Sequence, residues 1–214
     1  TFVKLNPTLH GYEYVKNVFT DLGFDHITLK EESFTHDMQY DAAVQMLRTL
    51  LAFSRKQNVQ FGVKLSNTLA VVNDKGKLPT DEMYMSGRAL FPLTINLADK
   101  LNKEFDGKLP ISYAGGASYF NVKEIFRCGI RPITMATDLL KPGGYARLKQ
   151  MAELLDEEMK EISVAIDSER LSKLAKNSLS DEKYRRDFKS DVSLKIEKKL
   201  EMTDCFIAPC EEAC

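Results

Sequence analysis

Two hydrophobic periods alternate along this chain, and that alternation limits its possible folds more than any other feature. Short runs rich in β-branched and aromatic residues ("TFVKL", "VQFGVKL", "LPISYA", "PITMAT") are separated by longer runs in which apolar residues recur every three or four positions. The first pattern suits strands buried on both faces, and the second suits amphipathic helices. In chain order the reading is a strand at residues 1–5, a helix at 12–23 closing on Gly23, a short strand at 26–29 and a helix at 41–55. A strand at 59–65, a helix at 90–105, a strand at 109–114, a helix at 121–129, a strand at 132–137 and a helix at 143–159 follow. Strands and helices alternating at this spacing predict parallel pairing through right-handed crossovers, in either a doubly wound sheet or a (β/α)8 barrel. The barrel is preferred, because glycine-rich and polar residues gather after several strands, where barrel active sites are built. Five strand–helix units fit within residues 1–156, so the expected fold is α/β with a partial TIM-type barrel. The chain starts on a strand, which reads as a piece of a longer polypeptide open at both ends.

Beyond residue 156 charge dominates. Residues 157–201, including "SERLSKLAKNSLSDEKYRRDFKS", are predicted to form a solvated helical linker with a cap at Ser168. Acids interrupt the bases there, and only Tyr184 and Phe188 offer rings to stack on bases, so a nucleic-acid site is not expected. The whole chain carries 30 basic and 31 acidic residues, which also argues against a nucleic-acid partner. No apolar run approaches the roughly 20 residues of a membrane span, and no signal peptide opens the chain. A soluble, cytoplasmic protein is the expectation.

Four cysteines without a secretory signal point to reduced thiols or metal ligands rather than disulfides. Cys128, at a predicted helix end, reads as a buried free thiol. Cys205, Cys210 and Cys214 lack the spacing of a C-x2-C zinc pair, whereas a cluster presenting several irons can take thiolates from such loops. Reduced thiols on a tail are the alternative. His10, His26 and His36 are scattered, without metal spacing, and read as surface or structural. No Ser-His-Asp or Cys-His pairing is visible.

Three stretches can carry chemistry. In "SYAGGAS", Gly115 and Gly116 follow a strand and precede a helix, so their amides can approach a phosphate closely; a plain tight turn is the equal alternative. Ala136 and Thr137, at the end of the last strand, can complete such a cradle, since barrels usually bind phosphate after their final strands. Ser86 and Gly87 in "MYMSGRALFP" read first as a helix cap and second as a ligand contact, with Arg88 as a further donor. The third stretch, "VKLSNT", places Lys64, Ser66 and Asn67 at a strand end. Lys4 in "VKLNPT" occupies a similar place, and the near-repeat favours a lined pocket over two stray surface charges.

The stretches "DEMYMSGRAL" and "ITMATDLLKPGGY", together with most of the chain around them, resemble the YgfK-type family labelled "putative selenate reductase" subunits. The barrel of that family is related to dihydroorotate dehydrogenase. "DCFIAPCEEAC" resembles the opening of the iron–sulfur domain shared by the glutamate synthase small subunit and dihydropyrimidine dehydrogenase. The resemblance implies an iron–sulfur flavoprotein oxidoreductase: a barrel, the start of an α-helical [4Fe-4S] domain at residues 202–214, and then a module for FAD and NAD(P)H. Electrons would pass from NAD(P)H through flavin and clusters to an unidentified acceptor, alongside other redox subunits, a molybdenum hydroxylase-type partner among them. By the same resemblance Ser86, Gly87, Gly115, Gly116, Ala136 and Thr137 match an FMN phosphate site and Lys4 or Lys64 a lysine near the flavin ring; Asn67, read from its strand-end place alone, is counted with them as a cofactor-binding candidate. Cys205 and Cys210 match ligands of one cluster and Cys214 of its neighbour. Two departures stand out. Met202 occupies a position where related cluster domains carry a cysteine, and the proton donor of related dehydrogenases has only Ser33 and Ser66 as candidates. The alternative reading is a barrel without catalytic function that serves as a scaffold or docking domain for a downstream redox module. On either reading the fragment alone is expected to show no turnover.

Overall fold

A computed structural model describes residues 1–76, 78–140, 144–156, 158–160 and 165–188. Its centre is a parallel sheet of β1 (Phe2–Leu5), β2 (Gly62–Leu65) and β5 (Ile111–Tyr113), in the order β1-β2-β5. Strand ends coincide: Phe2 pairs with Gly62, Leu5 with Leu65, and Leu65 with Tyr113. The predicted strand at 132–137 contributes a single parallel bridge, between Ile133 and Tyr113. Pairing in chain order with helical crossovers is the arrangement the alternating periods predict, and the fold is α/β; among the described residues the sheet does not close into a barrel.

The crossover from β1 to β2 runs through α1 (Tyr12–Asp21), α2 (Glu31–His36) and α3 (Tyr40–Lys56). Between β2 and β5 lie an antiparallel hairpin, β3 (Leu69–Val72) with β4 (Glu82–Met85), and then α4 (Leu90–Glu104). The hairpin was not predicted. The segment 26–29, predicted as a strand of the main sheet, makes only an antiparallel bridge from Leu29 to Val71 of the hairpin. After β5 come α5 (Val122–Arg127), the single-turn α6 (Thr137–Leu140), α7 (Tyr145–Leu155) and α8 (Ser168–Ser178).

Two apolar cores meet on α4. Phe91, Ile95, Leu97, Ala98 and Leu101 pack with Val63, Leu65, Ile111 and Tyr113 of the sheet. Leu90 and Leu93 pack with the hairpin residues Leu69, Val71, Met83 and Met85 and with Phe19 and Phe24. Apolar residues on both sides of one helix explain why so much of α4 is buried.

Residues 165–188 of the charged segment pack on the body, unlike the solvated linker predicted for 157–201. Leu171 and Ala175 on α8, and Tyr184 beyond it, are buried in the sheet-side core. The Tyr184 ring stacks on Phe91 with centroids 4.5 Å apart. Charge on three sides of α8 hides one apolar stripe, and each large side chain buried there stabilises the fold by about 1.5–3 kcal/mol. Ser168 is not the cap: Asp167 is, its carboxylate accepting from the Arg170 amide at 2.9 Å. The Ser168 hydroxyl instead accepts from Asn102 Nδ2 at 2.8 Å. Cys128 is a buried free thiol, as expected, and burial pushes its pKa up to about 12. Cys205, Cys210, Cys214 and Met202 lie outside the described residues.

Candidate functional site

At the C-terminal ends of β1, β2 and β5 the chain leaves the sheet through loops that enclose a cleft of about 330 Å³. Register builds its floor. Lys4 and Lys64 are direct partners on adjacent parallel strands, so both side chains leave the same face at the same level, and both line the cleft. The near-repeat in the sequence therefore marks two equivalent positions, and no choice of one lysine is forced. The Asn67 amide donates to the Leu5 carbonyl at 2.8 Å, Ser66 donates to Ala114, and Ala114 donates back to Leu65. These bonds carry the strand pairing up to the cleft and fix where each loop starts.

The wall is the Gly115–Ser118 turn, pressed onto the N-terminal end of α4. Gly115 has φ +103° and Gly116 φ +76°, a succession open to glycine. A Cβ at Gly116 would sit 2.5 Å from the Phe91 nitrogen and 2.8 Å from the Gly87 carbonyl oxygen. Asn121, 1 % exposed, clips the turn: its Oδ1 accepts from the Ser118 amide and its Nδ2 donates to the Gly116 carbonyl, both at 2.8 Å. Among the described residues none accepts a hydrogen bond from the Gly115, Gly116 or Ala117 amide. Ser66, also buried, hydrogen-bonds the Thr94 hydroxyl of α4 at 2.8 Å and donates to the Asn67 carbonyl at 3.0 Å. Beneath them Tyr113 is fully enclosed, and burial holds its phenol well above the usual range, so it stays protonated.

All the residues predicted for a phosphate and flavin site, Lys4, Lys64, Asn67, Ser86, Gly87, Gly115, Gly116, Ala136 and Thr137, line this one cleft. Ser86 does not cap α4, whose N-cap is Ala89 without a side-chain bond; its hydroxyl lies 3.3 Å from that of Thr137 across the cleft. Of the two serines considered as proton donors, Ser66 lines the cleft and Ser33 lies in a neighbouring one. Arg88 reaches the rim, where it donates to the Arg185 carbonyl at 3.2 Å and lies over the Phe188 ring at 5.2 Å. The lining thus holds three cations, Lys4, Lys64 and Arg88, against the carboxylate of Asp138.

Thr94 and Asn121 were not singled out from sequence. Nothing local marks Thr94, which looks like one polar residue inside an apolar helix. Asn121 precedes a helical run and carries the signature of a capping residue. It makes no cap bond and turns its side chain back to the glycine turn instead. His10 is structural: its Nε2 bonds the Leu93 carbonyl at 2.8 Å and its ring stacks on Tyr14. Among the described residues no group of three or more His, Cys, Asp or Glu side chains is placed to hold a metal, and no helix is long and apolar enough to cross a membrane.

The family model described as "Oxidoreductase YgfK, N-terminal TIM-barrel domain" matches residues 1–186. "Putative oxidoreductase YgfK" of Escherichia coli (strain K12) is 52 % identical over 215 residues, covering 100 % of this chain and 21 % of that protein. The protein of the same name from Escherichia coli O157:H7 matches equally, at 52 % identity over the same span. This chain therefore spans about a fifth of the length of these relatives. No solved structure matches.

Proposed function

The chain belongs to the family of the YgfK oxidoreductase N-terminal TIM-barrel domain, and on that premise we propose that it is the FMN-binding part of a larger iron–sulfur flavoprotein oxidoreductase. One observation carries the reading. Loops from separate strands converge on a single cleft rich in cations and hydroxyls, with a glycine turn whose amides have no acceptor among the described residues. Such a turn beside a helix N-terminus suits a phosphate. A cleft of about 330 Å³ falls within the range of small-molecule sites.

In this reading Gly115, Gly116 and Ala117 hold the FMN phosphate through backbone amides, with Ser86 and Thr137 as hydroxyl donors. Lys4 and Lys64 place positive charge beside the ring, where it favours the anionic reduced form. Bound flavin accepts hydride equivalents and passes single electrons, which is the chemistry this chain itself lacks. Thr94 and Asn121 act by position: the first orients Ser66, and the second fixes the turn. Cys205, Cys210 and Cys214 would begin the ligand set of [4Fe-4S] clusters, a reading that rests on their thiolate chemistry and spacing. FAD, NAD(P)H and partner redox subunits, including one of the molybdenum hydroxylase type, would engage the rest of the longer protein.

Reconstitution of the purified chain with FMN tests the cofactor reading. The expected result is a one-to-one yellow complex with altered flavin fluorescence, binding riboflavin at least about tenfold more weakly because the phosphate contacts are lost. Colourless protein that takes up no FMN would overturn it and leave the barrel as a scaffold or docking domain. Iron and sulfide analysis of the longer protein tests the clusters separately: cluster content unchanged in Cys205→Ser and Cys210→Ser would remove those residues from the ligand set.

A further inference from the structure

Of the three cations that line the cleft, Lys4 and Lys64 are placed by the sheet. Arg88 is placed differently. Its Nη2 donates to the Arg185 carbonyl, 97 positions later in the chain, at 3.2 Å. Its guanidinium also lies over the Phe188 ring, 5.2 Å from the centroid. A carbonyl and an aromatic face orient a guanidinium without neutralising it, so both contacts leave positive charge on the cleft lining.

The same late segment touches the glycine turn from outside the cleft. Phe188 meets Phe120 edge to face, with centroids 5.8 Å apart. The Phe120 amide donates to the Ser118 hydroxyl at 3.3 Å, and the Ser118 amide is the one held by Asn121. Tyr184 stacks on Phe91, whose nitrogen faces Gly116. Residues 184–188 therefore bear on Arg88 and on both sides of the turn, yet neither Arg185 nor Phe188 is among the residues lining the cleft.

This segment is anchored unevenly. Tyr184 is 3 % exposed, whereas Arg185, Arg186 and Asp187 are exposed and Phe188 is half-buried. Beyond the tyrosine the hold consists of the two ring contacts of Phe188, the Arg88 bond, and two bonds to the end of α1: Arg185 Nη1 to the Asp21 carbonyl at 3.1 Å and the Arg186 amide to that of Leu22 at 3.0 Å. A stretch with so little apolar burial opens at lower free energy than the core it rests on, and it pivots at the last buried side chain, Tyr184.

We infer that residues 185–188 form a strap whose seating and the occupation of the cleft by an anion favour each other. With the strap seated, Arg88 is already ordered beside the cleft and the turn is braced through Phe120, so an entering anion does not bear the cost of fixing them. With the strap released, one long side chain regains its rotamers and must be immobilised on binding, which weakens affinity about three- to tenfold. Such coupling is reciprocal, so the anion must hold the strap down by a similar factor. That the anion is the FMN phosphate rests on the cofactor reading above; the bracing of the turn by the strap does not.

The test uses the full chain and substitutions of Phe188, which change no charge and touch no lining residue. FMN affinity is read by fluorescence titration, and amide hydrogen exchange by NMR with and without FMN. Phe188→Ala should weaken FMN about three- to tenfold, and Phe188→Tyr, which keeps the ring, should restore it. FMN should slow exchange of the Arg186 amide by a similar factor. Without any ligand, Phe188→Ala should quicken exchange of the Ser118 amide about threefold or more while the Ile95 amide inside α4 keeps its rate. Unchanged affinity in Phe188→Ala, equal loss in Phe188→Tyr, or an Arg186 amide indifferent to FMN would overturn the coupling. If the wild-type chain takes up no FMN, the cofactor reading has failed and the Ser118 amide decides alone: equal exchange in wild type and Phe188→Ala overturns the strap, and selectively faster exchange in the variant upholds it.

Discussion

Gly116→Ala is the most exposing perturbation of the proposed cradle, because its cost has two separable parts. The first is conformational: at φ +76° an L-residue costs about 1–2 kcal/mol relative to glycine. The second is crowding. The new methyl would meet the Phe91 nitrogen at 2.5 Å, the Gly87 oxygen at 2.8 Å and the Phe91 Cα at 2.9 Å, all backbone atoms that no rotamer change can move. Overpacking of that kind adds about 1–3 kcal/mol, for a total of about 2–5 kcal/mol. Gly76→Ala supplies the control, since it also has a positive φ, +59°, but nothing lies within 4 Å of its Cβ position. For a chain of this size each kcal/mol moves Tm by about 2–4 °C, so Gly116→Ala should melt about 2–12 °C below Gly76→Ala. Scanning calorimetry of the two variants side by side gives the difference directly, with the conformational part cancelling. Equal melting temperatures within about 2 °C would refute the packing of the glycine turn on α4, and with it the geometry of the cradle.

Two further outcomes follow from the core. Burial lowers the His10 pKa from 6.5 to about 4, so the unfolded state binds more protons between those values and stability falls as pH drops through that window. The loss is at most about 3 kcal/mol; urea unfolding at pH 7 and pH 4.5 should show it, and His10→Asn should flatten the slope, while an unchanged slope would place the ring in solvent. Tyr184→Ala should cost about 3–5 kcal/mol, as large aromatic truncations in cores do, and a urea midpoint shift worth less than about 1 kcal/mol would mean that Tyr184 is not buried against Phe91 of α4 as described.

The parts of this architecture written in the sequence are those encoded by strict periods. Continuous apolar runs at 59–65 and 109–114 became β2 and β5, and "VKL" repeated at two strand ends became an in-register pair of lysines. The hairpin was missed because β3 and β4 are four residues each, and "EMYM" alternates too briefly to stand out from its polar flanks. Residues 26–29 read as a strand because their composition fits one, but composition cannot tell a sheet strand from a single bridge to a hairpin. The linker reading failed for a different reason. Leu171, Leu174, Ala175 and Leu179 recur at helical spacing within "SERLSKLAKNSLS", a stripe that the surrounding charge obscured. At the site, the loop glycines and hydroxyls were legible because turn chemistry is local. Thr94 was not, because its partner Ser66 is 28 positions away in sequence.

The seating of α8 on α4 also sets where this protein can be divided. A shortened chain ending after Asp156, at the apparent change in composition, would strip Leu171, Ala175 and Tyr184 from the sheet-side core and leave the outer face of α4 wet. That same helix presents Phe91 to the glycine turn and Thr94 to Ser66, so the damage would not stop at solubility. Near the end of the described chain, two consecutive arginines bind one spot at the end of α1: Arg185 donates to the Asp21 carbonyl, and the Arg186 amide donates to that of Leu22. Displacing Arg185 and Arg186 would therefore disturb the end of α1, whose Phe19 packs with Leu90 and Leu93 of the helix against which the glycine turn is pressed.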